Sequence, residues 1–191
     1  PTDTQRQRID LILNAGRQLL HLIEDVLDLT KVESGDIPLT IQRTDAREVL
    51  QASLQLVEST RQQYGVDIVE LIGPDPLWVM ADPQRLQQVF INLLSNGCKY
   101  NTRDGQIHLS AEVTEHEVRL SFADTGIGLT PEEAAQLFQP FRRVARKAHQ
   151  IEGTGLGLYI VRQFLERMHG RIDLQSEPGV GSTFTVCLPP A

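Results

Sequence analysis

The sequence has few cysteines, no excess of positive charge and no long apolar run, and each of these absences excludes a class of protein. The two cysteines, Cys98 and Cys187, form no CxxC motif, so a disulfide framework is not expected. A net charge of −7 argues against general nucleic-acid binding. No apolar stretch approaches the length of a membrane span, and no signal-like segment precedes Pro1. We therefore expect a cytoplasmic segment without nucleic-acid or membrane contacts of its own, which a membrane-bound protein could also carry. The missing initiator Met leads us to expect a fragment of a longer protein.

The chain divides into two regions of different periodicity. From Arg6 to Glu33 the apolar residues recur at heptad-like intervals, which predicts one long helix with a broad apolar face, ended by Ser34-Gly35-Asp36. No second long heptad segment follows, so we expect the partners of this face to lie outside the sequence. The rest of the chain predicts an α+β fold, a two-layer sandwich with helices on one face of a mixed sheet. The alternating segments predict strands at 37–41, 66–71, 77–80, 106–113, 117–124, 171–176 and 182–188, and the amphipathic ones predict helices at 45–63, after Asp82, and at 131–138 and 156–169.

The helix that begins after Asp82 carries a polar row beside its apolar arc. The arc consists of Leu86, Val89, Phe90, Leu93 and Leu94, and the polar row consists of Gln88, Asn92, Asn96, Lys99 and Tyr100. For any one of these polar residues a solvated helix face is the simpler interpretation, and we keep that interpretation for Gln88.

Three glycine-rich stretches punctuate the second region, "DTGIGL" (124–129), "GTGLGL" (153–158) and "GVGSTF" (179–184). The middle one runs directly into a helix, where free N–H groups and the helix dipole favour an anion. It is not the dinucleotide-binding GxGxxG, because Leu158 occupies the place of the third glycine, and no GxxxxGK[ST] motif occurs in the chain. Taken alone, this stretch is more simply interpreted as a tight turn before a helix.

Taken together, the motifs resemble the nucleotide-binding domain of sensor histidine kinases, in the superfamily that also contains gyrase, mismatch-repair and heat-shock chaperone ATPases. "NLLSNGCKY" is similar to the N box, "DTGIGL" and "GTGLGL" to the two glycine boxes, "FQPF" (138–141) to the F box and "GSTFTV" to the final strand motif. The early segment "LIEDVLDLTKVESG" resembles the second helix of the dimerization and phosphotransfer hairpin. The resemblance implies a partial hairpin domain at residues 1–35 and a Bergerat-type ATP-binding domain at residues 36–191.

The resemblance also implies a site for ATP and Mg²⁺. In this interpretation Asn92 supplies an amide oxygen to the metal, while Asn96 and Lys99 reach phosphate oxygens. Tyr100 packs on adenine, and Asp124 accepts a hydrogen bond from the adenine amine. Further nucleotide contacts are expected from Gly126, Gly128, Gly153, Thr154, Gly155, Leu156, Gly157 and Thr183.

The stretch "RRVARKAHQIE" between the F box and the second glycine box corresponds to the family's ATP lid. It gathers Arg142, Arg143, Arg146 and Lys147 in an otherwise acidic chain. We assign Arg143 to the phosphates. A solvated loop, or a contact with a response regulator, is an equally good interpretation of these charges.

The polar row also indicates which reaction the site performs. ATP-hydrolysing members of the superfamily carry a glutamate base at the position of Asn92, and a neutral amide cannot accept a proton from water.

None of the five histidines, His21 included, has the context of the family's phosphoacceptor. The chain is therefore identified as the ATP-binding region of a sensor histidine kinase. It is expected to phosphorylate a histidine on the dimerization hairpin of a homodimer, for relay to a response regulator receiver domain. An ATP-binding pseudokinase or regulatory module, and a pure interaction domain, remain alternatives.

Overall fold

The protein, as a computed structural model, is described here at residues 38–142 and 153–191 and at scattered positions between residues 5 and 30. Contacts divide it into two units, Pro1–Ile37 and Pro38–Ala191. The described positions of the first unit are helical, and their large apolar side chains are exposed: Ile9, Ile12, Leu19, Leu20, Ile23, Val26 and Leu27. The ends predicted for this helix, Arg6 and Glu33, lie outside the described residues.

The second unit is built on a five-stranded mixed sheet with helices on one face, so the predicted α+β sandwich is confirmed. The strands are β1 (Gln42–Asp45), β2 (Asp67–Glu70), β3 (Trp78–Ala81), β4 (Gln106–Val113), β5 (Val118–Asp124), β6 (Arg171–Glu177) and β7 (Gly181–Leu188). The helices are α1 (Ala46–Tyr64), α2 (Pro83–Lys99), α3 (Pro131–Gln136) and α4 (Gly157–Arg167). The large sheet has the order β2-β4-β5-β7-β6, with β2 parallel to β4 and every other pair antiparallel. Strands β1 and β3 form a separate antiparallel pair.

The core lies between the inner face of the large sheet and helices α2 and α4. Alternation along β5 places Val118, Leu120 and Phe122 on that face, where the Phe122 ring lies 5.5 Å from the Phe90 ring of α2. Helix α4 packs beside α2 and buries Ile160, Val161, Phe164 and Leu165. These contacts fix α2, the end of β5 and the start of α4 around one end of the sheet.

Two aspartates begin the long helices of this unit. Asp45 Oδ1 accepts from the Arg47 and Leu77 amides at the start of α1. Asp82 Oδ1 accepts from the Gln84 and Arg85 amides and is the N-cap of α2, so the predicted start of this helix after Asp82 is confirmed.

The strand predicted at 37–41 is wrong, because the strand begins at Gln42 and residues 38–41 are irregular. Ile37 lies outside the described residues. Pro38 has no N–H to offer a sheet, and the Thr40 N–H donates to Asp82 Oδ2 at 2.8 Å instead of to a neighbouring strand. The other predicted strands and helices of this unit are present, with ends that differ by at most two residues. None of the helices in the described part of the chain is long and apolar enough to cross a membrane.

Candidate functional site

Asn92 directs its amide oxygen toward the start of helix α4. Its Nδ2 donates to the Gln88 carbonyl one turn earlier, at 3.2 Å, which leaves Oδ1 as the outward-facing acceptor. A Cβ atom added at Gly157 would lie 2.6 Å from that Oδ1. A side chain at position 157 would displace the Asn92 amide, so glycine lets the first turn of α4 come this close to it. The structure thus brings the N-box stretch and the second glycine-rich stretch into direct contact.

The remaining residues of the polar row follow Asn92 along α2. Asn96 is half-buried, and among the described residues none hydrogen-bonds to its side chain. Lys99 lies in the last turn of the helix, where the helix dipole favours a positive charge, and Tyr100 is the C-cap. Gln88 accepts from Arg85 Nη1 at 3.0 Å, so its side chain has a structural contact on the helix.

Asp124 ends β5 on the sheet face that carries the core. A Cβ added at Gly97 of α2 would lie 3.9 Å from the Asp124 Cβ, so this carboxylate sits directly beside the helix that carries Asn96. Its Oδ1 accepts from the Gly126 N–H at 2.8 Å. Burial raises the pKa of Asp124, and the backbone N–H groups of Gly126 and Ser182 only partly oppose that effect. A desolvated carboxylate of this kind gains from a ligand that donates a hydrogen bond to it.

The first glycine-rich stretch is packed tightly against the protein's own backbone. A Cβ at Gly126 would lie 2.4 Å from the Tyr100 carbonyl oxygen, and a Cβ at Gly128 would be closer still to the Glu177 carbonyl. Gly128 also has φ +59, a conformation that favours glycine. The Ile127 N–H donates to the Tyr100 carbonyl at 3.2 Å. These contacts hold the loop after Asp124 against the end of α2.

Thr183 is not brought together with the other predicted site residues. It pairs with Ala123, whereas Ser182 pairs with Asp124. Because successive strand residues point to opposite faces, Thr183 lies on the outer face of the sheet and Ser182 beside the carboxylate.

Sequence reasoning missed Ser182 and its neighbour Ser176. The Ser182 and Ser176 hydroxyls lie 2.9 Å apart, and Ser176 Oγ accepts from the Leu129 N–H and donates to the Gly181 carbonyl. The Gly-Ser-Thr motif pointed to this part of β7, but only the strand register shows which of Ser182 and Thr183 faces Asp124.

The second glycine-rich stretch opens helix α4 without a side-chain cap among the described residues. The Leu156 N–H donates to Thr154 Oγ1 at 3.1 Å, and the Leu156 side chain is fully buried. Gly155 has φ +75, and its added Cβ would lie 2.9 Å from the Phe141 carbonyl carbon at the end of the F-box stretch. No described residue lies within 4 Å of a Cβ added at Gly153. The first N–H groups of α4 are therefore available to an anion.

Arg143 and the basic residues that follow it, through residue 152, lie outside the described residues. The contact predicted between Arg143 and phosphate stays a prediction.

The sandwich, with α2, the loop after β5 and the start of α4 brought together at one end of the sheet, has the architecture of a nucleotide-binding protein of the Bergerat type. Residues 81–191 match the family described as histidine kinase-, DNA gyrase B- and HSP90-like ATPase. The chain belongs to this family.

Relatives and solved structures agree with this assignment. Histidine protein kinase DivJ of Caulobacter vibrioides is 35% identical over 188 residues, which cover 98% of this chain and 32% of DivJ. Full-length ShkA in complex with AMPPNP has a TM-score of 0.83 and 30% identity over 100% of this chain and 40% of that one. Histidine kinase ThkA in complex with the response regulator TrrA has a TM-score of 0.76 at 23% identity, covering 100% of this chain and 53% of that one, which shows a shared fold.

The chain spans about a third of the length of DivJ. It is an ATP-binding catalytic region of the histidine kinase type.

Proposed function

We propose that this region binds ATP together with Mg²⁺ and donates the γ-phosphoryl group to a histidine on a dimerization hairpin, from which the group passes to a response regulator. The observation that carries the proposal is the meeting of Asn92 Oδ1 with Gly157 at the uncapped start of α4. Asp124 sits against Gly97 on the same helix as Asn92. One ligand with an amine donor at one end and phosphates at the other can span these groups.

Separate groups of described residues contact the adenine end and the phosphate end of the nucleotide. Asp124 accepts a hydrogen bond from the adenine amine, and Tyr100 offers its ring at the adjoining end of α2. Asn96 and Lys99 contact phosphate oxygens, the lysine as a point charge. The N–H groups at the start of α4, with Gly155, Leu156 and Gly157, receive phosphate, and Gly153 and Thr154 lead into that turn.

The donor set fits magnesium. Asn92 Oδ1 is a hard, neutral oxygen, and Mg²⁺ takes few protein ligands besides phosphate and water. Among the residues that the structure describes, no three His, Cys, Asp or Glu side chains form a ready-made metal cluster. When bound, Mg²⁺ would neutralise charge on the phosphate oxygens during transfer. Asn92 would hold it, with its orientation set by the bond from Nδ2 to the Gln88 carbonyl.

The nucleophile is supplied by a different segment. An amide at position 92 cannot take a proton from water, so the site positions ATP without activating a water molecule. An imidazole nitrogen from the hairpin attacks the γ-phosphorus, the bond to the β-phosphate oxygen breaks, and ADP leaves. The chain's own contribution is orientation and charge stabilisation.

The first unit supports a homodimer as the setting of this reaction. Ile12 and Leu19 are 70% and 61% exposed, and the described apolar residues around them are also exposed. Helices of the hairpin from this chain and from a second copy would cover that face. Because the proposed reaction uses ATP and a response regulator partner, the cytoplasm is the compartment expected for this region.

A nucleotide titration tests the proposal. Asn92→Ala should weaken ATP binding in the presence of Mg²⁺ by roughly tenfold or more and reduce the dependence on Mg²⁺, because a metal ligand is lost. Gln84→Ala, an exposed amide in the first turn of the same helix, is the matched control and should bind as the wild type does. Equal affinity of the two variants, with both folded by circular dichroism, would contradict the role of Asn92.

A further inference from the structure

A side-chain network joins the end of helix α2 to the loop that follows β5. We infer that Asn101 and Thr125 are positioning residues that set the separation between the adenine end and the phosphate end of the site. This inference rests on the proposed function, because it concerns how the two ends of one nucleotide are held in register. Neither residue belongs to the set of predicted ligands.

Asn101 is buried immediately after the helix and uses both atoms of its amide. Its Oδ1 accepts from the Thr102 N–H at 2.9 Å, and its Nδ2 donates to the Gln106 carbonyl at 3.1 Å at the start of β4. A Cβ at Gly105 would lie 2.1 Å from that Oδ1, so the turn between α2 and β4 closes around the amide only with glycine there. Asn101 therefore fixes the course of the chain from α2 into β4.

Thr125 completes the network from the other side. Its Oγ1 lies 3.2 Å from Asn101 Oδ1 and 3.4 Å from the Gln106 carbonyl, two acceptors for its one proton, and it accepts from the Gln106 N–H at 2.9 Å. Thr125 itself is exposed. Its hydroxyl is thus held by protein groups although the side chain stands at the surface.

The position of this network in the chain gives it a role in the site. Asn101 follows Tyr100, the last residue of the polar row, and Thr125 follows Asp124, the carboxylate assigned to adenine. A shift of Thr125 relative to Asn101 would move Asp124 relative to Asn96 and Lys99. Two backbone bonds tie the same segments together, from the Ile127 N–H to the Tyr100 carbonyl and from the Thr125 N–H to the Gln106 carbonyl at 3.0 Å. The side-chain network adds the direct link between Thr125 and Asn101.

Loss of the network should therefore affect ligands that span both ends more than ligands that occupy one end. ATP requires both ends at a fixed separation, and the second contact is gained only when geometry permits it. Adenosine and inorganic tripolyphosphate each need one end only. A residue with a purely structural role would weaken binding of all three compounds to the same extent.

The test is Thr125→Val, which removes the hydroxyl without a change of shape at an exposed position. With one hydrogen-bonding group lost, ATP·Mg²⁺ should bind about fivefold more weakly, and adenosine and tripolyphosphate·Mg²⁺ should stay within about twofold of the wild type. Thr125→Ser should restore ATP affinity. Thr114→Val is the matched control, because the Thr114 hydroxyl closes the turn at the opposite end of the β4–β5 hairpin.

Two results would overturn the inference. One is ATP affinity of Thr125→Val within about twofold of a wild type that binds ATP, and the other is an equal loss for all three ligands. If Thr125→Val does not fold, Asn101→Asp, which keeps the acceptor and removes the donor to Gln106, must give the same selective pattern. A wild type that binds no ATP would overturn the proposed function and this inference with it.

Discussion

The two glycine-rich stretches of the site look alike in sequence and are held very differently. In the first, Gly126 and Gly128 press against backbone carbonyls of Tyr100 and Glu177. In the second, Gly155 has positive φ and also lies close to backbone atoms, those of Phe141 and Arg142, but the residues on either side of it are less confined. No described residue lies within 4 Å of a Cβ at Gly153, and a Cβ at Gly157 would meet only the side chain of Asn92. The adenine end of the site is therefore built by contacts of the protein with itself, while the phosphate end leaves backbone groups open for a ligand.

This difference shows that glycine serves three purposes in one site. At position 128 it provides a backbone conformation with positive φ, at position 126 it permits close packing, and at position 157 it makes room for the amide oxygen of Asn92. Substitutions at these positions should therefore differ in size and in what they disturb.

Of the substitutions predicted below, Gly126→Ala should have the largest effect. The added Cβ would lie 2.4 Å from a backbone oxygen, so the loop after Asp124 must move, at a cost of about 1–3 kcal/mol in the free energy of unfolding. ATP affinity should fall roughly 100-fold, because the adenine end loses its geometry. Thermal unfolding and ATP titration check both effects. Gly73→Ala, with open space around it, is the control, and equal behaviour of the two variants would contradict the packing argument.

Asp124→Asn should have the next largest effect, and a selective one. The amide keeps an acceptor for Gly126 but loses the charge-assisted bond to the adenine amine, which is worth about 1.5–3 kcal/mol when desolvated. ATP should therefore bind at least about tenfold more weakly, while GTP binding changes little. An equal loss for both nucleotides would count against the adenine role of Asp124.

The same substitution should stabilise the ligand-free protein at neutral pH. Burial raises the pKa of Asp124 above its usual 3.8, so the folded state binds the proton more tightly than the unfolded state does. The ionised carboxylate therefore lowers stability as pH rises through the raised pKa. The melting temperature of Asp124→Asn should exceed that of the wild type at neutral pH, with a difference that shrinks as pH falls toward 3.8. A wild type that is the more stable of the two at neutral pH would contradict the stated effect of burial.

The smallest effect is expected from Gly153→Ala. No described neighbour obstructs a Cβ there, and its φ lies outside the left-handed region, so ATP affinity should change less than about threefold. Isothermal titration beside Gly126→Ala makes the comparison direct. A loss as large as that of Gly126→Ala would mean that the two stretches are held alike after all.

The motifs predicted the fold, and they located the candidate site at α2, the end of β5 and the start of α4, because they are local. The apolar arc and polar row of α2 follow from helical spacing, and alternation placed Asp124 at the end of its strand. The strand misplaced at 37–41 and the choice of Thr183 over Ser182 depend instead on contacts between distant parts of the chain. Asp82 binds the Thr40 N–H across 42 positions of the chain, and the face of Ser182 depends on its pairing with Asp124. Such long-range registers are not encoded in any short stretch.

The role of Asn101 could not be predicted from the local sequence either. It follows the N-box stretch directly, but its importance depends on Thr125, 24 positions away. By itself, an asparagine in a polar stretch that ends in glycine predicts only a turn.

The central claim is that the site binds and orients ATP while a separate segment supplies the histidine. The most direct measurement incubates this chain with γ-labelled ATP and Mg²⁺, alone and with a separate fragment that carries the hairpin and its phosphoacceptor. The account predicts no acid-labile phosphate and only slow ATP turnover by the chain alone, and transfer of the label to the fragment when both are present. An acid-labile phosphate on the isolated chain, mapped to His21, would contradict it. ATP binding without any transfer to a folded fragment would instead favour a regulatory ATP-binding module.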